Sequence, residues 1–536
     1  MNTDRRVRTW RGAGRGLVLG AALCAALVCA APAAAAPWDL PPGSFPSAYD
    51  LRAHGKVTPV RSQDEHSTCW IMAAMGSLES CLLPTVSYNL SENNLANHMG
   101  SKLTFEGRAN SRLSTAYFAR WDGPVFERDD PYPRPGSSPE FLLPVRHIQE
   151  VLFLPSRKGP LDNNAIKWAV TKFGAVDAAM AYQRDSINFA TGGAFYTRDT
   201  FLDHHVCIAG WNDNYPAWKF LRRPPGNGAF LIKNSWGADW NNGGYFWVSY
   251  YDAGIGRELA VFDGAQARTN YDAIYQYDAL GWTASIGYGG SRHAWFANRF
   301  TCGGTGRVAS VSFYTPVPGS SYQVRVAGAV RDIAAAPAAG SGTIAVGGYH
   351  TVRLATPVPV TAGQEFVVAV KLTTPGCGHP IPVEHPSALI APRAAARQSY
   401  ISYGGTTWTD LATKPGYETS NVCLKAFVNS SGAGDTGAPK AVVGAAQARR
   451  GGMAHVPFSF TDPAFSSASA VIYLSVRTAG GRVLKHARMP AVAFAEPRVW
   501  RFGCTMGAGT YYVYARAYDV AGNRQSVPSR AVLKVL

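Results

Sequence analysis

Cys69 stands at the start of an apolar stretch, and that position favours a reactive thiol. Residues 69–83 predict a buried helix, because small residues are interleaved with apolar ones throughout. A cysteine in the first turn of a helix lies at the positive end of the helix dipole, which lowers the pKa of the thiol. The alternative is a buried structural cysteine, since free cysteines are among the most buried residue types.

Two later segments could supply partners for a thiolate at residue 69. His204 and His205 open an apolar stretch, and Asn234 follows a predicted strand over residues 229–233. The chain order is therefore Cys, His, Asn. A cysteine nucleophile, a histidine base and an asparagine that orients the ring form a known variant of the catalytic triad. Either histidine could be the base on this pattern alone.

With their neighbours, these residues give the chain a resemblance to the papain-like, C1-type cysteine proteases over roughly residues 45–255. His204 follows Cys69 by 135 residues and Asn234 follows it by 165, which is close to the spacing of that family. The other residues that carry the resemblance are Gln63, Trp70, the pair Ser91-Glu92, the stretch 166–174, Ser235, Trp236 and Gly237.

The resemblance implies a role for each matching residue. Cys69 would attack the scissile carbonyl as a thiolate, and His204 would form the ion pair and protonate the leaving amine. Asn234 would fix the tautomer of the imidazole ring. Gln63 would donate its side-chain amide to the oxyanion, with the backbone N–H of Cys69 as the second donor.

The same resemblance selects His204 rather than His205 as the base. The family's histidine is followed by a small residue and then an apolar one, and Val206 takes the apolar position when His204 is aligned. The second cysteine that the family usually carries three residues before its nucleophile is replaced here by His66, so a disulfide common in the family is not expected.

The expected substrate-binding residues are Gly107, Arg108 and Trp236. The family's Gly-Gly pair, which binds the substrate backbone, reads Gly107-Arg108 in this chain, so a narrowed or altered cleft is expected. Trp236 would also cover the contact between Asn234 and His204 and exclude water from it. No metal site is expected.

The pattern of apolar residues differs between the part of the chain that contains these candidate site residues and the part that follows it. Residues 37–265 mix helix patterns, such as 165–173, with strand patterns such as 244–251. From about residue 270, short alternating runs separated by Gly and Pro turns are typical of β-sandwiches. The expected fold class is an α+β papain-like protease domain followed by two all-β sandwich domains.

Changes in residue composition along the chain indicate where one expected domain ends and the next begins. The middle part carries Tyr275, Trp282, Phe300 and residues 348–352 in a pattern similar to the lectin-like β-sandwich found after some bacterial papain-like domains. The last part resembles a bacterial immunoglobulin-like module. The expected divisions are a signal peptide (1–36), a papain-like domain (37–265), a lectin-like domain (266–430), a linker (431–439) and an immunoglobulin-like domain (440–536).

The first residues predict export. A basic stretch over residues 5–15 precedes an apolar run over 17–31 and the small residues 33–36, which is the pattern of a signal peptide. No later segment is apolar and long enough to span a membrane. A secreted or cell-surface location in a bacterium is therefore expected.

Charge and cysteine content limit the partners. The net charge of +16 falls to about +12 beyond residue 36, but no dense Lys/Arg run follows, so nucleic acid is not an expected partner. Seven cysteines remain after residue 36, and an odd number leaves at least one free thiol. A disulfide is plausible among Cys302, Cys377 and Cys423.

Together these observations predict a secreted cysteine endopeptidase that needs no cofactor. Its expected partners are a protein or peptide substrate and, through the β-sandwiches, a cell-surface polymer or glycan. The alternative is a surface or glycan-binding protein with a vestigial protease domain. A third possibility is an acyl transferase like the transglutaminases, although that fold would have Asp in place of Asn234.

Overall fold

A computed structural model describes most of the chain after residue 35. The described residues are 36–41, 43–100, 105–139, 142–430, 437–461, 469–493, 498–519 and 523–536. The expected signal peptide, apart from its last residue, and most of the expected linker lie outside them. We call residues 36–266 the N-terminal region, residues 273–430 the middle region and residues 437–536 the C-terminal region.

The α-helices of the described part of the chain lie in the N-terminal region. The α-helices are Cys69–Leu82 (α1), Glu92–His98 (α2), Ser111–Ala119 (α3) and Asn164–Lys172 (α4). Helix α1 is buried over its first twelve residues, which explains why most of its residues are apolar or small. It packs against the strands that carry the two histidines and their neighbours.

The N-terminal region also contributes nine strands. They are Ala48–Asp50 (β1), His147–Phe153 (β2), Val176–Met180 (β3), Ile187–Asn188 (β4), Ala194–Phe195 (β5), His204–Asn212 (β6), Ala229–Lys233 (β7), Tyr245–Ser249 (β8) and Leu259–Gln266 (β9). The central order is β2-β9-β3-β6-β7-β8, with antiparallel neighbours.

The middle region is built from strands and short 3₁₀ turns. Its strands are Ala273–Tyr275 (β10), Ala284–Ile286 (β11), His293–Thr301 (β12), Gly306–Thr315 (β13), Ser320–Ala327 (β14), Ala338–Ile344 (β15), Gly347–Val360 (β16), Glu365–Thr373 (β17), Ile381–Glu384 (β18), Ser399–Ser402 (β19), Thr409–Asp410 (β20), Asn421–Val422 (β21) and Leu424–Ser430 (β22). Alternate residues of these strands enclose one apolar core.

One sheet runs through both regions. Strand β16 of the middle region pairs with β2 of the N-terminal region, and this joins them into a 13-stranded sheet. Gly348 lies opposite Leu152 at this junction with φ of +142°, and a Cβ atom there would approach the carbonyl oxygen of Val151 to 2.0 Å. Only glycine allows the two strands to come this close.

The two regions also share an apolar core. Leu78 of α1, Phe118 of α3 and Phe262 of β9 belong to the same buried cluster as Trp282 and Tyr349 of the middle region. A cut near residue 265 would expose this surface to water. We therefore expect that residues 37–265 need the middle region in order to fold.

The C-terminal region consists of two sheets packed over a common core. Its strands are Lys440–Val443 (β23), Ala446–Ala448 (β24), Met453–Thr461 (β25), Ser469–Arg477 (β26), Val483–Ala493 (β27), Arg498–Gly503 (β28), Gly509–Asp519 (β29) and Ser529–Val535 (β30). The sheet orders are β23-β25-β28 and β24-β30-β29-β26-β27, and their inner faces form one apolar cluster.

An ion pair joins the C-terminal region to the N-terminal region. Arg488 of β27 contacts the carboxylate of Asp122 at 2.7 Å, and both side chains are largely buried. Asp122 also accepts from Arg120, whose guanidinium donates to the carbonyl oxygen of Ala279 in the middle region. All three regions therefore meet around this carboxylate.

The expected disulfide in the middle region is not formed. Cys302 and Cys423 are buried thiols, and neither forms a disulfide with the other or with Cys377. Cys302 instead donates to the carbonyl oxygen of Gly304 at 2.9 Å, and Cys423 lies in the core shared with the N-terminal region.

Candidate active site

Cys69 is the first residue of α1, as the sequence predicts, and only 8% of its surface is exposed. Thr68, at the N-cap position, makes no side-chain bond to the helix and instead contacts the hydroxyl of Tyr132 at 2.7 Å. Tyr132 in turn donates to the carbonyl oxygen of Gln63 at 2.8 Å. This chain of contacts fixes the loop that leads into the helix.

The surroundings of the Cys69 thiol act on its pKa in opposite directions. Burial raises the pKa, while hydrogen bonds from the backbone N–H groups of His205 and Trp70 lower it by a smaller amount. The outcome is a raised pKa, contrary to the expectation drawn from the helix dipole alone. Those two N–H groups point at the sulfur and would stabilise a negative charge there once it forms.

His204 is the first residue of β6 and contacts Asn234, which lies just after β7. The distance from Nε2 of His204 to Oδ1 of Asn234 is 2.9 Å, and both residues are buried. Because the amide oxygen can only accept, Nε2 carries the hydrogen and Nδ1 is left to exchange a proton. Burial lowers the pKa of His204 to about 4, and the hydrogen bond to Asn234 opposes that shift.

Two aromatic side chains enclose this contact. The ring of Trp236 stacks on His204 with centroids 4.8 Å apart and planes at 23°. The ring of Tyr182 meets His204 edge-on at 5.9 Å and Trp236 at 4.6 Å. Trp236 therefore covers one face of the imidazole, and Tyr182 is an additional neighbour that the sequence analysis does not identify.

His205 has a different partner on the other face of the strand. Its Nδ1 lies 2.8 Å from Oδ1 of Asp177, a fully buried residue of β3. Burial opposes a charge on His205, but the carboxylate outweighs it, and the pKa of His205 is raised. The sequence reasoning missed Asp177, although an aspartate inside an otherwise apolar strand is an unusual signal.

The loop around Gln63 runs beside the segment that follows β7. The backbone N–H of Gln63 donates to the carbonyl oxygen of Ser235 at 2.8 Å, and the hydroxyl of Ser235 donates to Oε1 of Gln63 at 2.7 Å. The amide nitrogen of Gln63 donates to the carbonyl oxygen of His66 at 2.7 Å. Two hydrogen bonds thus hold the side-chain amide of Gln63 in one orientation, and the third fixes its backbone.

The expected substrate-binding pair lies near the nucleophile. The carbonyl oxygen of Gly107 accepts from the indole nitrogen of Trp70 at 3.2 Å. Arg108 is exposed, and its charge lowers the pKa of Cys69 slightly. His66, which replaces the family's second cysteine, contacts the carboxylate of Glu106 at 2.5 Å.

Charged side chains connect the C-terminal half of α1 to the elements around it. Arg61 lies between Glu79 and Glu92 and forms an ion pair with each of them. Glu79 also accepts from the hydroxyl of Thr58, to which Lys233 of β7 donates at 3.0 Å. These contacts join the helix, the loop before it and the strand before Asn234, so they fix the relative positions of the candidate site residues.

No metal centre or membrane helix stands out in the described part of the chain. Within it, no three His, Cys, Asp or Glu side chains lie together as metal ligands would. None of its helices combines the length and the hydrophobicity that crossing a bilayer requires.

Two family models match the chain. The model described as "Papain family cysteine protease" matches residues 45–261, and the one described as "Lectin like domain" matches residues 274–428. These ranges correspond to the N-terminal and middle regions. The C-terminal region lies outside both.

Curated relatives match the first of these ranges. A viral cathepsin of Bombyx mori nuclear polyhedrosis virus is 30% identical over 243 residues, which are 41% of this chain and 66% of the relative. Cathepsin J of Mus musculus is 29% identical over 223 residues, which are 38% of this chain and 60% of the relative. The chain thus spans about three fifths to two thirds of the length of these proteins.

Solved structures match the first two regions together. The clostridial cysteine protease Cwp84 after propeptide cleavage is 24% identical with a TM-score of 0.64, covering 72% of this chain and 99% of that one. A structure of the cysteine protease and lectin-like domains of Cwp84, a surface layer associated protein of Clostridium difficile, gives a TM-score of 0.63 at 24% identity, covering 72% of this chain and 89% of that one.

At this identity the likeness to Cwp84 is one of fold, and it includes the arrangement of the two regions. The predicted fold class of a papain-like domain followed by β-rich regions is confirmed. The chain therefore carries a papain-family cysteine protease domain followed by a lectin-like domain.

Proposed function

We propose that this protein is an exported cysteine endopeptidase in which Cys69, His204 and Asn234 act as the triad and Gln63 as an oxyanion donor. The hydrogen bond from Nε2 of His204 to Asn234 is the observation that carries the proposal. It leaves Nδ1 as the atom that exchanges protons with the thiol and the substrate. In His205 it is Nδ1 that is bonded, to the carboxylate of Asp177, so this ring is oriented by a different partner.

The first step is proton transfer from Sγ of Cys69 to Nδ1 of His204. Burial alone favours the neutral thiol and the neutral imidazole. Transfer creates two opposite charges at once, and their mutual attraction in a buried site offsets the cost of desolvation. The N–H groups of His205 and Trp70 add hydrogen bonds to the thiolate.

Acylation follows when the thiolate attacks the scissile carbonyl carbon. The carbonyl oxygen becomes an oxyanion that accepts from the backbone N–H of Cys69 and from the side-chain amide of Gln63. His204 gives its Nδ1 proton to the leaving amine as the C–N bond breaks, which leaves a thioester on Cys69. Removing one such donor typically lowers kcat on the order of a hundredfold or more.

Deacylation reverses the roles of the same groups. Nδ1 of His204 takes a proton from a water molecule, whose oxygen attacks the thioester carbon. The C–S bond breaks, the acid product leaves, and the thiolate of Cys69 and the imidazolium of His204 are restored. Trp236 excludes other water from the His204–Asn234 contact.

The other regions would bring the enzyme to its substrate. We propose that residues 1–36 direct export, that the middle region contacts a cell-surface polymer or glycan, and that the C-terminal region is an immunoglobulin-like module. Support comes from the fold shared with Cwp84, a surface layer associated protein. Gly107, Arg108 and Trp236 would bind the substrate.

A second candidate function is surface binding with a vestigial protease domain. Arg108 favours it, because its side chain is exposed where the family carries a glycine that receives the substrate backbone. A bulky side chain at that position would narrow the cleft.

Hydrolysis of a short fluorogenic peptide by the chain 37–536 separates the two candidates. We expect cleavage by the wild type, none by Cys69→Ala, and full cleavage by Cys81→Ala, a matched change on the same helix. Cleavage that survives Cys69→Ala would refute the proposed nucleophile. A folded wild type that cleaves neither peptide nor denatured protein would favour the vestigial domain.

A further inference from the structure

The excess positive charge of this protein is concentrated in its last hundred residues. Residues 437–536 contain thirteen Lys and Arg against three Asp and Glu, a net charge of +10. The preceding residues from 37 to 436 are almost balanced, at about +2. A small domain with this imbalance attracts anionic partners over distances of about a Debye length.

Part of this charge lies on one face of the five-stranded sheet. Leu474, Val513, Ala515 and Leu533 point into the core, so alternate residues of β26, β29 and β30 point outward. The outward residues that form what we call the Arg–Tyr face are Tyr473, Arg477, Tyr512, Tyr514, Arg516 and Arg530.

Strand register arranges these side chains in rows. Arg516 lies opposite Tyr473, and Arg477 lies opposite Tyr512. Tyr514 lies opposite Arg530. Each row therefore places one arginine beside one tyrosine, and no outward position of the described parts of β26, β29 and β30 carries an acidic side chain.

Two of the guanidinium groups lie over tyrosine rings of the same face. The Cζ atom of Arg530 lies 3.8 Å from the ring centroid of Tyr512, and that of Arg477 lies 5.1 Å from the centroid of Tyr514. Ser475 accepts from Nε of Arg477 at 3.0 Å. Such stacking fixes the planar fork that binds carboxylate or phosphate groups through two hydrogen bonds.

A groove runs along this face. It encloses about 330 Å³ and is lined by Tyr473, Arg477, Tyr514 and Arg516, together with Pro528. The Nε atom of Arg516 is buried there and has no hydrogen-bond partner among the described residues. A buried guanidinium donor that faces a groove without an acceptor is satisfied when an anionic group binds.

We propose that the Arg–Tyr face binds a polymer that carries repeated carboxylate or phosphate groups on a non-aromatic backbone. The guanidinium forks would take the anionic groups, and the tyrosine edges would contact the backbone between them. Because Arg477 and Arg530 cover ring faces, those faces do not offer the stacking that single-stranded nucleic acid uses. The place of this region in an exported protein rests on the proposed function.

The face lies beside the protease domain. Arg488 of β27 stands opposite Tyr473 in the same sheet and forms the ion pair with Asp122. A polymer held in the groove would therefore fix the enzyme to a surface with its N-terminal region close by. Such tethering raises the effective concentration of substrates on that surface.

Fluorescence anisotropy with the full chain 37–536 tests the proposal. The probes are labelled polygalacturonate, which carries carboxylates, poly(glycerol phosphate), neutral dextran and single-stranded DNA. We expect binding to one or both of the first two, weakening with salt, and none to dextran. The anionic polymer that binds identifies the group recognised.

Matched variants show whether the Arg–Tyr face is the part of the protein that binds the polymer. Arg477→Gln with Arg516→Gln should weaken binding at least about tenfold, since each charge-assisted hydrogen bond contributes more than a neutral one. Arg449→Gln with Arg450→Gln removes the same charge from an exposed turn of the same region and should change binding less than about twofold. If the first double variant does not fold, Arg530→Gln takes its place as the test of the Arg–Tyr face, because this side chain is exposed.

Three results would overturn the proposal: no binding to either anionic polymer, equal weakening in both double variants, or DNA binding as tight as that of the polymers. Peptide hydrolysis by the same samples should be unaffected by all these variants. A failure of the binding proposal is thereby distinguished from a failure of the proposed peptidase.

Discussion

The imidazole of His204 and the side-chain amide of Asn234 meet at 2.9 Å, from Nε2 to Oδ1, across 30 residues of chain. The amide nitrogen of Asn234 has no hydrogen-bond partner among the described residues. The oxygen of Asn234 is therefore the atom that orients the ring, and its loss should matter more than the loss of the nitrogen.

Substitutions at Asn234 test that relationship. Asn234→Ala removes the acceptor for Nε2–H and should lower kcat by about tenfold, the worth of one such hydrogen bond. Asn234→Asp keeps an oxygen acceptor and should retain more activity than the alanine variant. Steady-state kinetics on a fluorogenic peptide measures both, and equal activity in the alanine variant and the wild type would contradict the role.

Gln63 should contribute to kcat rather than to substrate binding. Gln63→Ala removes an oxyanion donor and should reduce kcat on the order of a hundredfold with little change in KM. Ser235→Ala removes the hydroxyl that holds Oε1 of Gln63 but leaves the bond to His66, so its effect should be smaller. An unchanged kcat in Gln63→Ala would make this residue structural only.

The sequence predicts the nucleophile's helix well, because its signal is local. Residues 69–83 are predicted as a helix and Cys69–Leu82 is one, while residues 229–233 are predicted as a strand and Ala229–Lys233 is one. Helix α3 was not predicted, since its Ser and Thr residues have low helix propensity and its stability comes from burial against other elements.

The features that the sequence does not predict depend on contacts between residues far apart in the chain. The pairing of β16 with β2 joins residues that lie about 200 positions apart, and no local pattern specifies it. The partner of His205 depends in the same way on the register of β3 against β6, which brings Asp177 beside it. The choice between His204 and His205 rested on a family pattern, whereas the structure gives each histidine a different partner.

The shared sheet and core lead to a prediction about fragments. A fragment of residues 37–265 should fail to fold cooperatively, because it loses the middle-region members of the shared cluster, Trp282 and Tyr349, and the contact of Phe153 with Trp282. A fragment of residues 37–430 retains those contacts and should cleave a short peptide. Circular dichroism melts with peptide assays measure both properties, and a stable, active 37–265 fragment would contradict the shared core.

Stability should fall in acid because of buried neutral histidines. Burial lowers the pKa of His147 to about 4, whereas an unfolded histidine titrates near about 6.5. Between these two pH values the unfolded chain therefore binds more protons than the folded chain. The contribution of His147 to the free energy of unfolding is fully present above about pH 6.5 and is lost as the pH falls toward 4. His98 and His204 shift in the same direction.

His147→Phe tests the contribution of one of these histidines. The ring of His147 stacks on Trp121 at 3.7 Å, and phenylalanine can keep this contact without taking up a proton. The shift corresponds to on the order of 3 kcal/mol between pH 6.5 and 4. Urea unfolding at several pH values should show a flatter acid slope in the variant. An unchanged slope would mean that His147 is not titrated on unfolding.

The central claim is that Cys69 and His204 share a proton as one pair. Its most direct test is the rate of Cys69 alkylation by iodoacetamide from pH 4 to 10, followed by peptide mapping, in the wild type and in His204→Ala and His205→Ala. We predict a reactive Cys69 at mildly acidic pH in the wild type and in His205→Ala, whose backbone N–H remains. In His204→Ala we predict reaction only as the isolated, buried thiol ionises in alkali. Acid-side reactivity that survives His204→Ala and disappears in His205→Ala would contradict the account.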